Sequence, residues 1–451
     1  MFQEKVRQVT ALQTLFRAQA LRVALPLLLL GGCQSYEAVP LPEAPDFASA
    51  RVGAPTKPLS LVEVATLAVR ENPALVASRA KANIASAQAF AAGLLPDPQL
   101  NANLEHPTQS GHSEGYLLGL SEDLQALIIQ PSREAAARAA ADQAKLNELW
   151  HEWQTAEKAS FLAIQKSFSE RKVKLLENSG GVLWNEVERS DRALAAGNST
   201  VEAAGTDLAA ALDIESQHAT AAGEALASDI NLKQLLNLDP ATHLVIADLP
   251  DPPEVTRDNV MDGLKNVVKT RPDLLALQAG YRSQEEAVRQ SILKQFPAIT
   301  FGFDRAADAE NVHTIGLSVA VNLPIFGNAQ AAIRIQDATR AQLRAEYQAR
   351  LDSTTADAWR IWQQTQLLRK QIALLEQKLP AFRNAAKVSA QAHTNGDLDP
   401  ATYLLLQISL QTRESELLDR KAALWSDTVA LGTLLAAPIP TLESENSPLR
   451  R

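Results

Sequence analysis

Few side chains in this sequence could catalyse a reaction or bind a metal, and none has the spacing that such chemistry needs. His151 and Glu152 are adjacent, as on a zinc-protease helix, but no second histidine follows at the required distance. With two methionines and one cysteine, the chain cannot build a methionine-rich or a cysteine-based metal site. It contains no glycine-rich phosphate loop and no serine–histidine–aspartate pattern. We therefore predict that the protein is not an enzyme and that it uses no cofactor.

The single cysteine, Cys33, follows a segment that resembles a bacterial lipoprotein signal. Arg17 and Arg22 precede an apolar run at 23–30, and two glycines stand directly before the cysteine. Basic residues, a short apolar run and small residues are typical of a secretory signal, and the run is too short to span a membrane. We predict that residues 1–32 are removed and that Cys33 is acylated, since the glutamine after it is compatible with sorting to the outer membrane. An ordinary signal peptide with an incidental cysteine is the alternative.

The charge of the chain argues against nucleic acid as a partner. The sequence has 43 lysines and arginines against 52 aspartates and glutamates, a formal net charge of −9. A negative chain repels a phosphate backbone. Aromatic residues make up only 5% and alanines are abundant, a composition typical of closely packed helices.

A long stretch of the sequence occurs twice, with an offset of 199 residues. Pro73, Pro98, Gly197 and Leu232 recur as Pro272, Pro297, Gly396 and Leu431. Four anchors in step over most of the chain indicate an internal repeat. We predict a signal peptide (1–32), an acylated, proline-rich extended tether (33–58), repeat 1 (59–238), a linker (239–258), repeat 2 (259–437) and a disordered tail (438–451).

Each repeat is predicted to contain a helix, a long helix and a returning helix. The first helix of repeat 1 starts after Ser60, which forms a capping box with Glu63, and runs to about residue 93 with a proline break at Pro73. Its counterpart covers 259–294. Long helices follow at 132–194 and at 329–392, the second continuing past a proline. The first is rich in alanine, which allows close approach of helices. In the second, apolar residues alternate at spacings of four and three, which predicts a coiled-coil seam: Leu368, Ile372, Leu375, Leu379 and Phe382.

Between the first and second helix of each repeat, the period of the pattern changes from helical to alternating. Leu100, Ala102 and Leu104 alternate with polar neighbours, which predicts a strand, and a return strand follows at 116–124. Repeat 2 shows the same pattern at 299–304 and 315–323. Each repeat therefore supplies one β-hairpin. An isolated hairpin is barely stable in water, and four strands cannot close a barrel, so we expect partners from other chains.

The duplication, the element order, the asparagine–proline break, the proline before each outgoing strand and the glycine at each helical turn resemble the TolC family of outer-membrane factors. The resemblance covers residues 59 to about 437 and rests on architecture, since the family has no short catalytic motif. It implies a homotrimer in which four strands from each chain close a twelve-stranded outer-membrane β-barrel. An α-helical coiled-coil barrel would continue it through the periplasm. The partners it implies are a periplasmic adaptor (membrane fusion) protein, an inner-membrane pump and outer-membrane lipid.

Three sets of functional residues follow from this reading. The polar positions of the alternating strands are candidates for the barrel lumen: Asn101, Asn103, Thr300, Gly302 and Ser318. The resemblance implies a periplasmic gate near the two helical turns, with the acids there as candidates: Glu202, Asp207, Asp397 and Asp399. For Asp397 and Asp399, capping of the next helix is the alternative. The turns themselves are candidates for adaptor contact: Gly197, Asn198, Asn395 and Gly396.

The predicted function is therefore a passive exit duct of a tripartite efflux system, for cations or metals or for drugs. The outer-membrane component of type I protein secretion is one alternative. A second is a lipidated structural or adaptor protein of the envelope, but an adaptor would carry one helical hairpin rather than two repeats. The acidic balance of the chain favours cations only slightly.

Overall fold

The computed structural model describes residues 36–48, 57–108 and 111–437. Cys33, the predicted signal peptide and the predicted tail lie outside the described residues. Residues 36–46 belong to a separate unit and form an extended, exposed segment. The following description concerns the unit that begins at Phe47.

Twelve named elements make up this unit, and the same order of six occurs twice. Two short helices are followed by two strands, one very long helix and one helix of 35 residues. They are α1 (Leu61–Glu71), α2 (Pro73–Gly93), β1 (Gln99–Glu105), β2 (Gly115–Asp123), α3 (Leu124–Ala195), α4 (Val201–Leu235), α5 (Arg257–Thr270), α6 (Pro272–Leu293), β3 (Ala298–Ala307), β4 (His313–Asn322), α7 (Asn328–Asn395) and α8 (Pro400–Leu434). Helices dominate and one small sheet is present, as predicted.

The first helix of each half is divided at a proline. Asn72 and Arg271 have extended backbone angles, with ψ of 122° and 119°, and Pro73 and Pro272 begin the next helix. A proline disfavours the helical conformation of the residue before it and lacks the N–H that would continue the helix. The proline in the sequence therefore determines the break. The predicted capping box of Ser60 and Glu63 is present at the start of α1.

The long helix α3 begins at Leu124, eight residues before the predicted start at 132. Asp123 caps it by accepting hydrogen bonds from the N–H groups of Gln125 and Ala126, at 2.8 and 3.2 Å. Pro131 lies inside its second turn, where the prediction placed a boundary. The prediction was wrong because the cap and the apolar residues after it outweigh one lost hydrogen bond. Helix α7 runs through Pro380 as expected. At 1.5 Å per residue, both helices are about 100 Å long.

The two hairpins form one antiparallel sheet in the order β1-β2-β3-β4. Strands β2 and β3 pair in register from Tyr116 opposite Ala307 to Asp123 opposite Thr300. Each hairpin therefore finds its first partner in the other half of the same chain. The prediction that the partners come from other chains was incomplete in this respect.

The main apolar core surrounds the middle of α3, which packs against α1, α2, α4, α6 and α8. Ile164 and Phe168 of α3 meet Leu61 and Val64 of α1, and Trp425 of α8 closes the cluster. Smaller clusters extend along the helix pairs, including Leu368 and Ile372 of the predicted coiled-coil seam. No helix in the described ranges is both long enough and apolar enough to cross a membrane.

The linker between the halves is fixed by side chains of the last two helices. The indole N–H groups of Trp425 and Trp362 donate to the carbonyls of Pro250 and Val255, at 2.8 and 3.0 Å. Arg369 donates to the carbonyl of Pro252 at 2.8 Å. Each of these linker carbonyls thus accepts a hydrogen bond from a side chain of α7 or α8. The linker is thereby held across α7 and α8.

Candidate functional site

The register of the sheet assigns every strand residue to one of two faces. Directly paired residues of an antiparallel sheet share a face, and successive residues alternate. One face, here called the polar face, carries mostly polar or small residues, with Leu117 as its one large apolar residue: Gln99, Asn101, Asn103, Glu105, Gly115, Gly119, Ser121, Asp123, Ala298, Thr300, Gly302, Asp304, Ala306, Thr314, Gly316, Ser318, Ala320 and Asn322. All five predicted lumen residues therefore lie on the same face. Their role in a lumen stays a prediction.

Glycines allow polar side chains to lie flat across the polar face. A β-carbon at Gly119 would overlap the Asp304 carboxylate, and one at Gly302 would overlap the Ser318 hydroxyl. Asn101 donates to the Ser121 hydroxyl at 3.4 Å. Sequence reasoning missed Asp304 and Ser121, although their two-residue spacing from Gly302 and Gly119 carries the signal. The polar face is thus crowded, hydrogen-bonded and unusually rich in glycine.

The opposite face of the sheet, here called the apolar face, is covered with large hydrophobic side chains. Its large hydrophobic residues are Leu100, Leu104, Leu118, Leu120, Ile299, Phe301, Phe303, Ile315, Leu317, Val319 and Val321, and the charged residues Glu122 and Arg305 share the face near its two ends. The hydrophobic residues are between 38% exposed (Ile299) and 83% exposed (Leu104). A contiguous exposed apolar surface of this kind marks contact with another apolar phase or protein.

Both outer strands of the sheet have an unpaired edge. Among the described strands, β1 pairs with β2 alone and β4 with β3 alone. Every residue of both outer strands is exposed. Such edges present rows of free N–H and C=O groups to another strand, and these two are long and uninterrupted.

At the other end of the long helices, two tight turns join α3 to α4 and α7 to α8. Gly197 and Gly396 have φ of +77° and +82°, a left-handed conformation that glycine adopts without a steric penalty. Asn198 and Asp397 then donate to the carbonyls of Ala193 and Ala392, both at 2.8 Å. The predicted turns are confirmed as turns, and Asn395 ends α7 directly before the second. Contact with an adaptor stays a prediction.

The four candidate gate acids lie in three different environments. Asp399 is the N-cap of α8 and accepts from the N–H of Thr402 at 2.8 Å. Hydrogen bonds from the side chain and then the backbone of Thr402 lower the pKa of this carboxyl. Asp207 is buried within the protomer, at 4% exposure. Glu202, in the first turn of α4, and Asp397 are exposed. Asp399 thus makes the helix-capping contact that was the alternative to a gating role.

Sequence reasoning missed a buried polar cluster next to the second turn. His393 of α7 lies 3.0 Å from the Glu186 carboxylate of α3, and its other ring nitrogen lies 3.2 Å from the carbonyl of Leu398. The ring stacks on Tyr403, with 4.6 Å between centroids and 8° between planes. Arg189 approaches the same Glu186 oxygen at 3.1 Å. Glu186 and His393 are 207 residues apart, so no local motif could reveal the pair.

Within the ranges that the structure describes, no group of three or more histidine, cysteine, aspartate or glutamate side chains could hold a metal ion. The notable surfaces are therefore the two faces of the sheet, its two edges and the two helical turns.

No protein-family model and no curated protein matches the chain. Solved structures do match. A CusC structure, described in terms of transmembrane channel formation, is 16% identical, with a TM-score of 0.67 over 91% of this chain and 100% of that one. The outer-membrane channel OprN is 15% identical, with a TM-score of 0.72 over 90% and 99%. The CmeC outer membrane channel of Campylobacter jejuni is 13% identical, with a TM-score of 0.70 over 89% and 94%. The predicted TolC-type fold is thereby confirmed.

Proposed function

We propose that this chain belongs to the TolC family and forms the outer-membrane channel of a tripartite efflux system. The TolC-type fold supports the proposal. The observation that carries it is the small sheet, which has one polar face, one exposed apolar face and two unpaired edges. In this role the apolar face contacts outer-membrane lipid, and the polar face lines a water-filled passage.

The channel is a homotrimer in this proposal. A sheet of four strands cannot close on itself, but three copies joined β1 edge to β4 edge supply twelve strands and leave no open edge. Edge pairing would satisfy the free N–H and C=O groups that a membrane cannot satisfy.

The outer surface of α4 supports self-assembly along the helices as well. Its exposed apolar residues recur at spacings of seven, four, fourteen and four: Val201, Leu208, Leu212, Leu226 and Ile230. At 3.6 residues per turn these positions form one apolar stripe along the helix, here called the α4 seam, yet among the described residues α4 packs mainly on α3. We assign the seam to a long helix of the neighbouring copy, which would continue the barrel into a helical tunnel.

The turn end of the helices is the proposed site of gating and of adaptor contact. Among the four candidate acids, Asp399 already caps a helix and Asp207 is buried. Glu202 and Asp397 remain as the acids with direct access to a passage. The turns at Gly197-Asn198 and Asn395-Gly396 are exposed and small enough to fit between the helices of an adaptor.

Acylation at Cys33 is the proposed anchor, with residues 33–58 as the tether between the lipid and the folded unit. The proposed cargo is cationic, either metal ions or positively charged drugs. The polar face carries the carboxylates Glu105, Asp123 and Asp304 and no lysine or arginine, so three copies would favour cations. Type I protein secretion is the alternative for the same channel.

The test compares neighbouring residues on opposite faces of β1. Asn101→Cys and Leu100→Cys are made separately with Cys33 replaced by serine, and each purified protein is recorded in a planar lipid bilayer. We expect the cationic reagent MTSET to lower the conductance of the Asn101→Cys channel and to leave the Leu100→Cys channel unchanged. Equal effects at both positions, or no channel from the unmodified chain, would contradict the proposal.

Growth of a deletion strain tests the cargo separately. We expect greater sensitivity to divalent metals or to cationic dyes and antibiotics, restored by the intact gene. Unchanged resistance together with the loss of a secreted protein would assign the channel to secretion instead.

A further inference from the structure

One carboxylate of the polar face, that of Asp304, lies midway between the two ends of the sheet. In the ladder Asp304 pairs with Gly119 on one side and with Gly316 on the other. The other two carboxylates of this face lie nearer its ends, since Glu105 is the last residue of β1 and Asp123 is the last residue of β2. Measured along β2, the rows that hold them are each four residues from the row of Asp304, which corresponds to about 13 Å.

The two glycines leave space for Asp304 on both sides. A β-carbon at Gly119 would overlap the Asp304 carboxylate, so this carboxylate lies where a side chain of β2 would otherwise stand. A β-carbon at Gly316 would meet no atom of the described residues within 4 Å. Glycine inside a strand weakens the strand and often marks a position that another group approaches closely. The row of Asp304 therefore presents one carboxylate between two strands that carry no side chain there.

Asp304 is also the polar-face carboxylate that has no bonded partner among the described residues. Asp123 accepts backbone hydrogen bonds as the N-cap of α3, and Asn103 donates to the Glu105 carboxylate at 3.4 Å. The next residue in β3, Arg305, lies on the apolar face, so its side chain is on the other side of the sheet. The charge of the Asp304 carboxylate is therefore not compensated on the polar face.

We propose that Asp304 determines the cation preference of the channel. This inference rests on the proposed trimeric channel, in which the polar face lines the passage. Three copies would place three Asp304 carboxylates at one height in the barrel, and rings of acidic side chains are a known means of selecting cations. Glu105 and Asp123 contribute less, because each already makes hydrogen bonds within the chain and lies toward an end of the passage.

The experiment measures the reversal potential of the purified channel in a planar lipid bilayer, between about 10 mM and about 100 mM KCl. At about 10 mM salt the screening length is about 30 Å, so the field of a carboxylate on the wall reaches ions in the passage. We expect the parent chain to pass K⁺ more readily than Cl⁻. Asp304→Asn removes the charge and keeps the shape, so the permeability ratio should fall at least about twofold. Asp304→Lys should reverse the preference.

Glu122→Gln is the matched control, because Glu122 is a carboxylate on the apolar face of the same sheet. This variant should keep the permeability ratio of the parent chain. A second control uses salt above about 1 M, where the screening length is about 3 Å and the difference between the parent and Asp304→Asn should disappear.

The outcomes separate this inference from the proposed function. A parent channel without cation preference, an Asp304→Asn channel with the parent ratio, or an equal decrease in Glu122→Gln would overturn the role of Asp304 and leave the channel itself intact. If the parent chain gives no current at all, the proposed channel is wrong and the inference is wrong with it.

Discussion

The two halves of the chain end their helices with the same backbone bonds, made by different residues. Leu238 donates to the carbonyl of Lys233 at 2.8 Å, and Ala437 donates to the carbonyl of Gly432 at 3.0 Å, an offset of 199 for both partners. Asn237 and Ala436, also 199 apart, both have positive φ, at 54° and 51°. The equivalent backbone positions keep their geometry even though a left-handed alanine is unfavourable.

The joint between the two short helices shows how far the side chains have diverged. Asn72 caps α2 and donates to the carbonyl of Leu235 at 2.9 Å. Arg271, at the equivalent position, donates to Leu434, the counterpart of Leu235, at 3.4 Å. The arginine also pairs with buried Asp273 at 2.7 Å. A neutral amide and a buried ion pair thus hold the same joint.

The last helix of each half differs in what covers its outer surface. Trp425 of α8 is 2% exposed, because the linker lies over it and accepts its indole N–H. Leu226, the equivalent residue of α4, is 61% exposed. The linker segment at Pro250 therefore covers the outer surface of α8 and leaves Leu226 of α4 exposed. The comparison shows that α4 of the first half keeps an exposed apolar surface, which the proposed assembly of three copies would cover.

We expect the largest difference in stability between truncating Trp425, which the linker covers, and truncating Leu226, which is exposed. Trp425→Ala should lower the free energy of unfolding by about 4 kcal/mol, because it removes a fully buried indole and leaves a cavity. Leu226→Ala should change it by less than about 0.5 kcal/mol in the single chain. Thermal unfolding in detergent measures the first effect.

The Leu226→Ala variant should instead weaken self-association, which analytical ultracentrifugation measures. If both variants unfold alike and assemble alike, the distinction between a covered and an uncovered half is wrong.

The residues between the two short helices, Asn72 and Arg271, should give the next largest difference in stability. Arg271→Ala leaves the Asp273 carboxylate buried without its main partner and should cost about 3 kcal/mol. Asn72→Ala loses a helix cap and one hydrogen bond and should cost about 1–2 kcal/mol. Urea unfolding of both variants checks the order. A larger loss from Asn72→Ala would mean that the ion pair contributes little.

The smallest effect concerns Glu157 of α3, which the second half replaces by Ala356. Burial raises the pKa of Glu157, against a hydrogen bond with Thr433 and the charge of Arg271. A carboxyl with a raised folded-state pKa binds its proton more tightly in the folded protein. Its contribution to stability is therefore present at low pH and is lost as pH rises through its unfolded-state and folded-state pKa values. Glu157→Gln should therefore raise the melting temperature at pH 8 and have little effect at pH 4.

Glu63 provides the matched control with the opposite sign. Hydrogen bonds from the backbone and then the side chain of Ser60 lower its pKa, so its stabilising effect is present above its unfolded-state pKa and is lost as pH falls through its folded-state pKa. Glu63→Gln should lower the melting temperature at pH 8. A decrease for Glu157→Gln at that pH would show that its hydrogen bond with Thr433 outweighs its burial.

Local patterns in the sequence determined much of this protein. The proline breaks, the capping box at Ser60, the glycine turns and the alternating strands rest on contacts within a few residues, and each follows from backbone sterics or hydrogen bonding. The shared face of Asn101, Thr300 and Ser318 followed from alternation alone. The early start of α3 did not follow from a local pattern, because the cap formed by Asp123 starts the helix before Pro131.

Only the tertiary structure decided which distant residues meet. Strand β2 of the first half pairs with β3 of the second. Trp425 donates to the linker carbonyl of Pro250, 175 positions away, and His393 contacts Glu186, 207 positions away. The duplication gives the two halves the same periodic pattern, so the sequence cannot say which copy of a surface is covered. That choice depends on the path of one linker, which breaks the symmetry between the halves and leaves the α4 seam exposed.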